Sequence, residues 1–216
     1  MEKRTAKILC FGDSNTYGFN PTDGSRYDKQ TRWSGILSEL LKDDFEIIEA
    51  GCNNRNCFAK NPLGEELIGV KAVKKYLKTK PDLVLLALGI NDLQKFYRPA
   101  SEDINKGVRE LIDIVQKELP NSKIVLISPS VLKNEVLTGF FAFQFDEISI
   151  QKSKEIAAIY EKAANDMKVY FLNFDKIADV SKEDGLHYTP EGHLKIAQAL
   201  REFILALFKN SSNLSA

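Results

Sequence analysis

The chain has 216 residues, and its thirty Lys and Arg are balanced by thirty Asp and Glu. This length suits one α/β domain, and a neutral balance without a long basic run excludes a nucleic-acid groove or a polybasic membrane face, leaving a small molecule as the expected partner. Three cysteines without CxxC spacing and only two histidines argue against a zinc site or a disulfide framework, so neither metal nor cofactor is expected.

The charged residues 1–5 and the short apolar stretch after them, cut by Asp13, do not make a secretory leader, and a cytoplasmic protein is expected. Residues 7–11 read as a buried strand that Gly12 ends. Gly18 closes the polar turn that follows, which places Asp13, Ser14, Asn15 and Thr16 where open α/β sheets collect their ligands. By themselves these four residues are ordinary turn and cap residues. Residues 19–30 form a polar loop that could edge a pocket. Thr31 then caps a helix whose apolar face is Trp33, Ile36, Leu37, Leu40 and Leu41.

A second strand at 45–49 runs into the small and polar stretch 50–57. The next helix carries Leu67, Val70, Val73 and Leu77 and stops before Pro81. Residues 83–88 are six apolar residues without alternation, as in a central parallel strand covered on both faces, and they end in the turn Gly89-Ile90-Asn91-Asp92. A helix through Ile104, Val108, Leu111, Ile112 and Val115 leads to a fourth strand at 123–128. Between 129 and 148 the rhythm fails, and Phe140, Phe141, Phe143 and Phe145 crowd into what reads as an ordered insertion. A helix through Ile156, Ile159, Tyr160 and Ala163, a fifth strand at 169–172 and a last helix opened by Thr189-Pro190 complete the chain. This alternation predicts a three-layer α/β/α sandwich on a five-stranded parallel, flavodoxin-like sheet, in a single domain spanning 1–216.

Asp184 and His187 stand three residues apart just before that last helix. The spacing lets the carboxylate fix one ring nitrogen while the other faces Ser14, whose hydroxyl could then lose its proton to the ring. An oxyanion formed on a carbonyl needs donors, and the side-chain amide of Asn91 with the backbone N–H groups of Ser14 and Asn54 could supply them. Cys52 or Cys57 would serve as nucleophile only with a base beside it. His193 reads as structural. Arg55 could meet a substrate carboxylate or bind the facing loops, of which the second is preferred. Asp13, Arg55, Phe141 and Phe143 complete the candidate substrate contacts.

Gly12-Asp13-Ser14, Gly51 with its polar loop, Gly89-Ile90-Asn91-Asp92 and Asp184-Gly185-Leu186-His187 resemble, in order, the four blocks of the GDSL or SGNH hydrolases. The resemblance runs from Ile8 to about Leu207. It implies Ser14 as nucleophile, His187 as general base, Asp184 as its partner, and an oxyanion hole from Ser14, Asn54 and Asn91. Glycine is common in the family where Asn54 falls, but asparagine tolerates a left-handed backbone and a backbone donor needs no glycine. Arg32-Trp33 and the long segment after Ser128 look most like the arylesterase branch, whose members hydrolyse or transfer small acyl groups and often oligomerise. The nucleophile on the first strand, without Gly-x-Ser-x-Gly, is unlike an α/β-hydrolase.

The expected activity is therefore hydrolysis of small esters. Acyl transfer, or deacylation of a carbohydrate or lysophospholipid, would use the same site. A phosphate- or FMN-binding module is the rival outside catalysis, and it leaves Asp184 and His187 unexplained. The phenylalanines need a cover, which could be the core, a second subunit of a homo-oligomer, or an acyl chain. Alternation of Phe141, Phe143 and Phe145 suggests an extended piece, and a confined pocket preferring short acyl chains is expected.

Overall fold

Apolar runs at five places in the chain pair side by side in the computed structural model, which describes residues 5–212. The strands are β1 (Ala6–Gly12), β2 (Phe45–Gly51), β3 (Leu83–Ala87), β4 (Lys123–Ser128) and β5 (Tyr170–Asn173). All neighbours are parallel, in the order β2-β1-β3-β4-β5. β1 and β3 lie inside the sheet, and Ile8 to Phe11 and Leu83 to Leu86 are fully buried, as the unalternating sequence of the third strand required.

Successive side chains leave a strand on opposite faces. Ile8, Cys10, Leu83 and Leu85 meet α2 (Trp33–Leu40) and α6 (Pro190–Ser212) through Trp33, Leu37, Ile196 and Leu200. Leu9, Phe11, Val84 and Leu86 meet the other layer, α3 (Gly69–Leu77), α4 (Ser101–Glu118) and α5 (Glu147–Met167), through Val73, Val108, Ile112 and Tyr160. The result is the expected three-layer α/β/α arrangement. Among the described residues no helix is long and apolar enough to cross a membrane.

Two local expectations are corrected. Thr31 does not cap α2: Arg32 holds that position, and its guanidinium grips Glu49 of β2 with both nitrogens, Nε to Oε2 at 2.6 Å and Nη2 to Oε1 at 2.8 Å. A planar two-point ion pair fixes the helix start more firmly than one hydroxyl would. The aromatic segment is not extended either. Asn134–Leu137 and Phe140–Phe143 are single 3-10 turns, and since the segment pairs with no strand among the described residues, its backbone bonds locally, as Gln144 N–H does to Phe141 O at 2.8 Å. α5 follows at once, its start capped by the Asp146 carboxylate, which accepts from Ser149 N–H.

Candidate active site

β1 ends at Gly12, and a one-turn helix, α1 (Ser14–Tyr17), begins directly over the carboxyl edge of the sheet. Close packing explains the glycine, because a Cβ at Gly12 would stand 2.4 Å from Ala87 O and 2.0 Å from Thr16 Oγ1. Asp13 caps the turn, its Oδ1 accepting from Asn15 N–H at 2.9 Å. Ser14 is therefore the first residue of the turn, where a backbone N–H has no intrahelical acceptor.

The Ser14 hydroxyl lies 2.8 Å from His187 Nε2, and His187 Nδ1 lies 2.6 Å from Asp184 Oδ2. Asp184 Oδ1 accepts from the amides of Leu186 and His187, both at 2.9 Å. These bonds assign the tautomer: Nδ1–H donates to the carboxylate, which leaves Nε2 to accept from the serine. Burial works to raise the Asp184 carboxyl, but bonds from the imidazole and the two amides outweigh it and hold the group below the usual carboxylate range.

The loop carrying the pair is fixed from outside. Asn15 Nδ2 donates to Leu186 O at 3.2 Å, which ties the serine turn to it, and Lys133 N–H donates to Gly185 O at 3.0 Å. The His187 ring is enclosed by Phe19 and Phe141, with centroids 4.3 and 5.2 Å away.

Asn54, after β2, has φ of 58°, the left-handed conformation that asparagine tolerates. Asn91, after β3, donates its Nδ2 to Arg55 O at 3.1 Å. The amide N–H groups of Ser14 and Asn54 bond to no described residue. Ser14, Asn54, Asn91 and His187 border one cavity of about 80 Å3, walled also by Phe19, Phe141, Leu186, Asn53 and Gln144. A larger open groove of about 610 Å3 lies over residues 175–183 and the start of α6 and reaches neither Ser14 nor His187.

Asp92, beside Asn91, positions the loop instead of facing the cavity. Its carboxylate accepts from the amides of Cys57, Phe58 and Ala59 at 2.5 to 3.0 Å, while burial pushes it up to about 6 against those bonds. Gly89 lets the chain turn toward Asn91: its φ is 130°, and a Cβ there would collide with Tyr160 Oη at 2.0 Å.

Three candidate substrate contacts stand elsewhere. Asp13 is buried and turned inward to its cap. Its carboxyl is pushed up to about 7 by burial, which the Asn15 amide and the Arg55 charge offset only in part. Arg55 is 1% exposed, donates to Gly12 O and Ala50 O at 2.8 and 2.6 Å, and lies 4.5 Å over the Phe11 ring. It binds the ends of β1 and β2 to each other and cannot meet a substrate carboxylate. Phe143 is exposed and packs on Phe140, away from the cavity. Only Phe141 of these four lines it.

The thiols do not compete with Ser14. Cys57 is fully buried, and burial with the charge of Asp92 pushes its thiol well up, the reverse of what a thiolate nucleophile needs. Cys52 does not border the cavity. His193 is structural, accepting at Nδ1 from Trp33 N–H at 3.2 Å.

Residues 10–195 match the model of the GDSL-like lipase/acylhydrolase family. The chain belongs to that family. Among solved structures it is similar to an aryl esterase of M. smegmatis, at 32% identity and a TM-score of 0.87 over 94% of this chain and 100% of that one. A carbohydrate acetylesterase from Sinorhizobium meliloti is similar at 28% identity with a TM-score of 0.87, over 94% of this chain and 100% of that one. Among curated proteins, a multidomain esterase of Ruminococcus flavefaciens is 28% identical over 96% of this chain but only 29% of its own length. The chain thus spans under a third of that relative.

The four family blocks are visible in the sequence, and Asn15 is read there only as a turn residue, whereas Phe19, Gln94 and Gln144 are not among the candidate site residues. Phe19 had a signal, an aromatic ring opening an otherwise polar loop next to the serine. Gln94 and Gln144 had none, since both bond across loops distant in the chain, Gln94 to Asn54 and Gln144 to Lys95.

Proposed function

We propose that the chain is a serine esterase that cleaves small carboxylic esters through an acyl-enzyme. The observation that carries this is the unbroken bond sequence from Ser14 Oγ through His187 to Asp184 beside the two unpaired amides of Ser14 and Asn54. As Ser14 attacks the ester carbonyl, its proton passes to His187 Nε2, and Asp184 stabilises the imidazolium and keeps the ring in its tautomer. The amides of Ser14 and Asn54 and the side chain of Asn91 receive the oxyanion. His187 gives the proton to the leaving alkoxide, the acyl group stays on Ser14, and water activated by the same ring releases the acid.

The cavity supports a short acyl group. At about 80 Å3, with Phe19, Phe141 and Leu186 among its walls, it is far smaller than a cavity for a long acyl chain. The acetylesterase among its structural relatives agrees with that size. We read the whole chain as one catalytic domain, and three free cysteines suit a reducing compartment such as the cytoplasm. An FMN-binding role would leave the Asp184–His187 pair without a purpose.

A panel of p-nitrophenyl esters, run with and without a fluorophosphonate, tests the reading. The expected result is turnover of acetate, inactivation by the fluorophosphonate and a mass adduct on Ser14 that Ser14→Ala lacks. Adduct formation that survives in Ser14→Ala overturns it. Adding an alcohol acceptor and following ester product separates hydrolysis from acyl transfer.

A further inference from the structure

We infer that Gln94 is a positioning residue that sets the orientation of the oxyanion-binding amide. The inference rests on the esterase reading above, and it begins from an ambiguity in asparagine itself. A primary amide turned over end for end keeps its shape but exchanges donor for acceptor. Asn91 can serve an oxyanion only with Nδ2 toward it. In the opposite sense its Oδ1 would face the developing negative charge and repel it.

Two contacts decide the sense. Arg55 O accepts from Asn91 Nδ2 at 3.1 Å, and Gln94 Nε2 donates to Asn91 Oδ1 at 3.2 Å. Turning the amide over would set Oδ1 against a carbonyl oxygen and Nδ2 against another NH2, so both bonds would become repulsions. The Arg55 carbonyl belongs to the backbone and is fixed by the fold. Gln94 is the side-chain half of the clamp.

The same Nε2 also donates to Asn54 Oδ1 at 2.9 Å. One buried amide, 4% exposed, therefore links both residues that flank the hole from different loops. Gln94 reaches further to Gln144 Oε1 at 3.4 Å, and Lys95 N–H donates to Gln144 O at 2.8 Å. The aromatic segment thereby rests on the same clamp. Gln94 touches no part of the cavity surface, so it acts through Asn91 and Asn54 and not on substrate.

Steady-state kinetics on p-nitrophenyl acetate test this with Gln94→Ala, Gln94→Glu, Asn91→Ala and the double variant Gln94→Ala/Asn91→Ala. Gln94→Ala should lower kcat about tenfold with KM little changed, a loss smaller than removal of an oxyanion donor and typical of coupled neighbours. In the Asn91→Ala background the same change should cost less than about twofold, because the amide whose orientation it sets is gone and Asn54 offers the oxyanion only its backbone N–H. Gln94→Glu keeps the shape but turns an acceptor toward two carbonyl oxygens, so its loss should exceed that of Gln94→Ala at pH 8. Its activity relative to wild type should then recover as pH falls and the introduced carboxyl gains a proton to donate.

Unchanged kcat in a folded Gln94→Ala variant, equal losses with and without Asn91, or a rise in KM alone overturns the inference. If Gln94→Ala fails to fold, the near-isosteric Gln94→Glu decides, and a pH-independent ratio to wild type overturns it. Wild type that gains no fluorophosphonate adduct on Ser14 would instead defeat the esterase reading. Wild type labelled there with Gln94→Ala at full activity defeats only the role of Gln94.

Discussion

Phe141→Ala should convert a short-chain esterase into one that accepts medium chains. Phe141 is half-buried, lines the cavity, and holds its ring edge-on to Phe19 at 5.8 Å and against His187 at 5.2 Å. The substitution removes as many ring carbons as octanoate carries beyond acetate, so the space freed is of the size the longer chain needs. Each methylene taken out of water contributes about 0.8 kcal/mol, and if half of the added ones are covered the gain is about 2.4 kcal/mol, or about 60-fold in relative kcat/KM. Acetate turnover should fall, because His187 loses one of the two rings that enclose it. The assay is the ratio of octanoate to acetate kcat/KM in wild type, Phe141→Ala and Phe143→Ala. Phe143 lies outside the cavity, and its variant should keep the wild-type ratio. An unchanged ratio in folded Phe141→Ala refutes the reasoning, since the cavity would then not be the acyl site.

Asp184→Asn should retain the fold, its oxygen still accepting from the Leu186 and His187 amides, yet lower kcat by about 10³ to 10⁴ because the ring no longer holds the tautomer that accepts from Ser14. A loss under tenfold in steady-state turnover would show that the carboxylate does not orient His187. His193, pushed down to about 3 by burial and by the nearby His187, stays neutral when folded but takes a proton when unfolded below about 6.5, so its contribution to stability is complete above that pH and is lost as pH falls toward 3. Wild type should thus lose about 1.6 kcal/mol relative to His193→Gln between pH 6.5 and pH 5. Asp13 and Asp92, raised to about 7 and about 6, act in the opposite sense but are common to both proteins and cancel in the comparison. Urea midpoints that shift in parallel with pH would rule out a buried neutral His193.

What could be read from the sequence was whatever depends on neighbours along the chain. The strand of residues 7–11, the glycine that ends it and the serine after it are one local pattern. The three-residue spacing of Asp184 and His187 is another, and each puts its side chains at a strand end without help from distant partners. The layered fold follows from the same short-range rules, since an apolar run without alternation has to be covered on both faces.

Side chains whose role is set by remote partners gave no such signal. Asn15 acts across 171 positions, on Leu186 O, and Gln94, though it also bonds Asn91 three residues before it, reaches forty positions back to Asn54. For Arg55 the preferred reading, a residue that binds facing loops rather than substrate, has its physical reason in the sheet edge. The carboxyl ends of β1 and β2 present two converging carbonyls, Gly12 O and Ala50 O, and the Arg55 guanidinium donates to both while its flat face covers Phe11. The alternating phenylalanines misled because alternation predicts a strand only where another strand is free to pair with it. Here the backbone closed on itself in 3-10 turns, and that curl separates the four rings: Phe145 goes into the core, Phe141 onto His187, and Phe140 and Phe143 outward. A strand would have placed Phe141 and Phe143 on one face together. The turn leaves Phe141 alone of the four on the cavity beside His187, and it is held there through Gln144, which bonds at once to Phe141 O, to Lys95 N–H and to the Gln94 amide. On the proposed function, substitution of Gln144 at this junction should alter turnover as well as chain-length preference, whereas Phe143→Ala should alter neither.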